Sequence, residues 1–198
     1  MVSQSVRSDA ARNRQALIEV AARLFGSAGA AGEPSLRLIA REAGVGIGTL
    51  FRHFPTREAL VEAVYQDQVR RLTEGADHLL ATHPPAQAMR RWMDLFSEWL
   101  ATKNGMIDTL RAMINNKQLG SAHTRTELLA AIDKILAAGR SAGDISAHAT
   151  SEDVAAGLIG IFTVAPITSS SEQAARLLDI FMNGISAPTT GDQPLPSG

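Results

Sequence analysis

Two polar side chains three positions apart, Thr49 and Arg52, sit inside a glycine-spaced stretch, SLRLIAREAGVGIGTLFRHF, residues 35–54. On a helix that spacing turns both to the same side. A guanidinium there can grip guanine O6 and N7 or a phosphate, and a threonine can meet a thymine methyl or a phosphate oxygen. Ile47, Gly48 and His53 share that outward side once Leu50 and Phe54 turn inward, and Gly48 leaves room for a close backbone approach to DNA. Ser35 and Arg37 open one predicted helix and Arg57 lies in the first turn of another, where unpaired N–H groups attract phosphate. The implied chemistry is recognition of double-stranded DNA through its major groove.

Such a face needs two short helices joined by a tight turn. Ala40 supplies the small residue at the helix crossing, and Gly44, four positions later, supplies a turn residue tolerant of positive φ. Ile39, Ala43, Val45 and Leu50 are the apolar wedge between the pair, and Phe25 of the preceding helix closes the small core. Ser35 is placed as N-cap of the first helix of the motif and Thr56 as cap of a long helix beyond Pro55.

The stretch RNRQALIEVAARLFGSAGAAGEPSLRLIAREAGVGIGTLFRHFPTREALVEAVY, residues 12–65, closely resembles the N-terminal DNA-binding domain of TetR-family transcriptional regulators. Ala21, Leu24-Phe25, Ile39-Ala40, Ala43-Gly44-Val45, Gly48-Thr49-Leu50, His53-Phe54 and Leu60 carry the resemblance. It implies an all-helical homodimer, a palindromic operator and a C-terminal domain that binds a small molecule and dimerises. The family's DNA contacts then fall on Arg37, Thr49, Arg52, His53 and Arg57. The chain departs from many members at Gly46-Ile47, where they carry Ser-Lys, and at Phe51-Arg52, where they carry Tyr-Tyr. Losing the serine weakens the cap of the recognition helix, and losing the lysine removes a phosphate contact.

Composition agrees with a helical, DNA-facing reading. The 198 residues carry a net charge of −1, but residues 1–60 hold eight arginines against five acids, while the rest hold 11 basic and 15 acidic groups. Apolar residues recur at three and four throughout, so the expected fold is all-α, with about nine helices near 9–28, 36–43, 47–53, 56–80, 85–101, 105–117, 123–139, 151–165 and 171–185. Gly29 and Gly32 are expected to end the first. The expected domains are 1–55, a helix-turn-helix domain, and 56–187, a ligand-binding and dimerisation domain entered through a linking helix at 56–80. A Pro/Gly-rich tail, 188–198, is expected to be disordered.

In the second domain Trp92, Phe96 and Trp99 form one stripe and Met106, Leu110 and Met113 another. Flat aromatics and deformable methionines suit a pocket for apolar molecules, although either stripe can equally be core. Asn115, Asn116, His123 and Glu127 are candidate polar groups at its rim. Val154, Leu158, Ile161, Phe162, Leu177 and Phe181, on the last two helices, are assigned to a dimer interface, with an internal core as the competing reading.

Other chemistries are excluded or demoted. With no cysteine there is no disulfide, thiolate nucleophile or cysteine-ligated metal. The five histidines (His53, His78, His83, His123 and His148) include no i, i+4 pair and no Glu-x-x-His, so no metal or other cofactor is implied. The run GRSAG, 139–143, matches a hydrolase nucleophile elbow with Ser141 at its centre and Asp144 and His148 following. An elbow needs a strand before its serine, and a helical segment precedes this one. Gly139 and Gly143 read instead as a helix stop and a loop. A serine hydrolase and an effector-independent DNA-binding protein are the competing readings. With no apolar run near the roughly 20 residues of a membrane span, a cytoplasmic protein with no membrane partner is expected.

Overall fold

The structure, a computed structural model, describes residues 2–28, 32–116, 121–164 and 171–187. The described residues form nine helices and no strand: α1 (Val2–Gly26), α2 (Leu36–Glu42), α3 (Ile47–His53), α4 (Arg57–Thr82), α5 (Pro85–Gly105), α6 (Ile107–Asn115), α7 (Ser121–Ala142), α8 (Ser151–Val164) and α9 (Ser171–Ile185). The order matches the helical periodicity, with ends displaced. The expected terminator Gly29 and the tail 188–198 lie outside the described residues.

The chain divides into two compact units, the described parts of Met1–Arg71 with Phe96–Arg125 and of Leu72–Leu95 with Thr126–Gly198. In the first unit α1 packs on α2 and α3, and α2 on α3. Leu17, Ala21, Phe25, Ile39, Ala40, Leu50 and Phe54 are buried together there with Leu60 and Val64 of α4. Gly105 ends α5 against α1: a Cβ built on it would lie 1.8 Å from the carbonyl oxygen of Phe25, so only a residue without one allows this approach. Thr102, a turn earlier, also points its hydroxyl at α1, 3.5 Å from the Ala22 carbonyl.

In the second unit α8 packs on α9. The end of α9 is pinned to the loop after α7, with Ser146 N–H donating to the Ile185 carbonyl at 2.8 Å and Ala187 N–H to the Asp144 carbonyl at 3.0 Å. Arg90 of α5 holds α9 by donating from Nε to Asp179 at 2.9 Å, and it also pairs with Asp94. Among the described residues no helix is long and apolar enough to cross a membrane.

Candidate nucleic-acid interface

The local chemistry of residues 35–56 builds a helix-turn-helix. The Ser35 hydroxyl accepts the Leu38 N–H at 3.2 Å and so caps α2. The helix ends in a Schellman turn: Val45 N–H reaches the Ala40 carbonyl and Gly44 N–H the Arg41 carbonyl, each at 3.0 Å. Gly44 takes φ 68°, a conformation that costs a side-chain-bearing residue free energy. Gly46 then opens α3 with no side-chain cap, as the missing serine predicts. Thr56 caps α4 by accepting the Ala59 N–H at 3.2 Å.

Leu50 and Phe54 turn into the core, which leaves Ile47, Gly48, Phe51 and Arg52 exposed and Thr49 and His53 half-buried. Arg52 and Thr49 lie on one side, with Nη2 3.5 Å from the threonine hydroxyl. A Cβ on Gly48 would meet nothing within 4 Å, so the fold itself has no use for glycine there. Ser35 and Arg37 are exposed at the start of α2. Phe51 is absent from the sequence-derived set, yet 46% of it is exposed. Its place at i+4 from Ile47 is the signal that could have put both on one face.

Arg57, expected at a phosphate, has partners within its own unit. Its Nε donates to Glu33 Oε2 at 2.8 Å and its Nη2 to the Pro34 carbonyl at 2.9 Å, with the guanidinium 5.8 Å from the centre of the Phe25 ring. These partners all lie in its own unit. Glu33 also accepts the backbone N–H of Thr109 at 3.0 Å and its hydroxyl at 2.7 Å. Burial works to raise the Glu33 pKa, but the bonds from Thr109 and Arg57 outweigh it and hold the carboxyl below its ordinary range.

The expected effector residues are divided. Phe96, Trp99, Met106, Leu110 and Met113 are all buried in the first unit, where the Phe96 and Trp99 rings lie 5.2 Å apart. Trp92 is buried in the second unit, its indole N–H given to the Leu72 carbonyl at 2.9 Å. His123 is exposed, as are Asn115 and Asn116 at the end of α6. Glu127 borders a cavity of about 270 Å³ in the second unit, with Thr73, Asp77 and Lys134 and none of the aromatic set.

The residues expected at a dimer interface on α8 and α9 are divided. Val154, Leu158 and Phe162 are buried within the chain, holding α8 onto its own unit, while Ile161, Leu177 and Phe181 are half-buried. Ile159 of α8 and Ile180 of α9 are 54% and 66% exposed. Ser141 lies on α7, which runs through Gly139 and stops at Gly143, φ 76°. Its hydroxyl donates to the Ala137 carbonyl at 3.0 Å, and among the described residues no hydrogen bond joins it to Asp144 or His148. No group of three or more His, Asp or Glu able to hold a metal occurs among the described residues.

Comparison with known proteins bears on the same segments. Residues 17–64 match the family described as bacterial regulatory proteins, tetR family, and residues 84–187 match the transcriptional regulator SbtR-like C-terminal domain. The solved TetR transcriptional regulator SCO0520 from Streptomyces coelicolor is 38% identical, with a TM-score of 0.81 over 89% of this chain and 99% of that one. The TetR transcription regulatory protein from Mycobacterium vanbaalenii is 32% identical, with a TM-score of 0.71 over 92% and 99%. The HTH-type transcriptional regulator SAUSA300_2515 of Staphylococcus aureus strain USA300 is 43% identical over 61 residues, 31% of this chain. That match spans about a third, 32%, of the curated relative's length.

Proposed function

The chain belongs to the TetR family of transcriptional regulators, DNA-binding proteins by descent, and on that premise we propose that it is a ligand-responsive repressor. It binds a palindromic operator as a homodimer in the cytoplasm, catalyses no reaction, and is released by a small, largely apolar effector. The observation that carries the reading is the outward face of α3. Ile47, Gly48, Phe51 and Arg52 stand exposed on a helix anchored by buried Leu50 and Phe54. Thr49 and Arg52 supply polar contacts to base edges or phosphates, and Ile47 and Phe51 supply apolar contact to thymine methyls.

Residues 1–55 act as the reading head, 56–80 as the link and 56–187 as the effector and dimer domain. Pairing runs through α8 and α9, with exposed Ile159 and Ile180 taking part, and reading successive major grooves requires two copies of α3 about 34–36 Å apart. Phe96, Trp99, Met106, Leu110 and Met113 supply the apolar effector surface. An effector acts only by binding the DNA-competent and DNA-released forms with different affinity.

Fluorescence anisotropy on DNA tiled from the region flanking the protein's own gene tests this. Tight binding to one tile, with log K falling steeply against log salt, is the expected result. Equal, weak binding to every tile removes the operator, and absence of binding at low salt removes the DNA contact itself.

A further inference from the structure

We infer that Trp99 and Lys103, one turn apart on α5, form the polar end of a ligand site that takes a small monocarboxylate with an apolar body. Trp99 is 95% buried, with 5% of its surface left to solvent, and among the described residues its indole N–H has no hydrogen-bond partner. The other indole, Trp92, spends its N–H on the Leu72 carbonyl. A buried donor without an acceptor costs free energy in every folded molecule, so a native chain that keeps one points to a partner from outside.

The second observation is the cation beside it. The Lys103 ammonium lies 5.0 Å from the centre of the Trp99 ring, half-buried, with no carboxylate of the described residues paired to it. Burial pulls its pKa below the usual lysine range. One aromatic ring therefore carries an unsatisfied donor at its edge and an uncompensated cation over its face. A water or a ketone satisfies the donor and leaves the charge. A carboxylate answers both, one oxygen accepting from Nε1 and the other facing Nζ once the flexible lysine stem turns toward it. Phe96, whose ring lies 5.2 Å from that of Trp99, supplies apolar surface for the rest of the molecule.

This deepens the effector reading and rests on it, so binding and DNA release are measured separately. Hexanoate, octanoate and decanoate are titrated calorimetrically into the full chain, each against the alcohol of the same length. The expected result is at least one acid binding about tenfold or more tighter than its alcohol. Lys103→Met and Trp99→Phe remove that preference, and Lys103→Arg retains it. Trp99→Phe keeps an aromatic ring in place, which separates a missing donor from a collapsed fold. Acids that bind no tighter than their alcohols, or a preference that survives both variants, overturn the site. Operator anisotropy on the same samples tells the two claims apart. An acid that binds through Trp99 and Lys103 without releasing DNA leaves the site standing and removes its effector role. Operator binding with no acid preference does the reverse.

Discussion

Glu33, two residues before the first cap of the helix-turn-helix, is hydrogen-bonded to the backbone N–H of Thr109, 76 positions away, at 3.0 Å. Thr109 is the third residue of α6, so the carboxylate caps that helix in place of a local side chain: the N-cap residue is Met106, which forms no side-chain bond. The same carboxylate holds Arg57 in the first turn of α4 at 2.8 Å. One side chain thus joins the approach to the reading head to the starts of two helices.

Removing it leaves the half-buried Arg57 guanidinium without its carboxylate and α6 without its cap. Glu33→Ala is expected to lose about 2–3 kcal/mol of stability, and Glu33→Gln less, since its amide oxygen still accepts from Thr109. Denaturant titration with a constant m value measures both. The pH dependence has a fixed sign. Because the folded carboxyl is held below its ordinary 4.5, its contribution is complete above that value and fades as pH falls through the lower folded value. The parent chain is therefore expected to lose stability more steeply than Glu33→Gln over that acid range. Equal slopes would remove the linkage.

The two arginines assigned to DNA on sequence alone separate by experiment. Arg52 stands on the exposed face of α3, whereas Arg57 is held by Glu33 and Pro34. Arg52→Ala should weaken operator binding by about 1–3 kcal/mol and lower the salt slope by about one phosphate contact. Arg57→Ala should cost stability and leave the salt slope unchanged. Salt-dependent anisotropy beside thermal melts reads both. A slope that falls with Arg57→Ala would return that residue to the phosphate backbone.

What could be read from sequence here was what the chain settles over three or four residues. The Ser35 cap, the Gly44 turn and the inward Leu50 and Phe54 are local, and the structure has each of them. The fate of Arg57 was not local, because its partners Glu33 and Thr109 lie 24 and 52 positions away. Phe51 escaped for a different reason. An aromatic residue in a helix counts as core by type, and only the packing of α3 on α1 and α2 shows which side of that helix is spare.

The same ambiguity explains α8, apolar around much of its circumference, where periodicity alone cannot choose the outer face. Leu158→Ala is expected to destabilise the folded chain by about 2–5 kcal/mol, as loss of a fully buried leucine does. Ile159→Glu and Ile180→Glu are expected to leave the fold within about 0.5 kcal/mol and to weaken self-association. Sedimentation velocity across a concentration series distinguishes these outcomes. A dimer that survives both glutamates would move the interface to another face.

Two substitutions of glycine by alanine should act in opposite ways, and together they separate fold from reading. At Gly48 a Cβ enters open space on α3. Alanine there gains helix propensity, about 0.5–1 kcal/mol, so stability should hold or rise while operator affinity falls, if the backbone approaches DNA at that point. At Gly105 a Cβ would lie 1.8 Å from the Phe25 carbonyl oxygen and 2.6 Å from its carbonyl carbon, atoms of a helix backbone that no rotamer change can move aside. Gly105→Ala should therefore cost on the order of 3 kcal/mol, because either α5 or α1 has to shift. Thermal melts and operator titrations on both variants give four numbers. The expected pattern is a stable, weakly binding Gly48 variant and an unstable Gly105 variant. Equal operator affinity for the parent and Gly48→Ala would show that the glycine on α3 serves neither the fold nor the DNA contact.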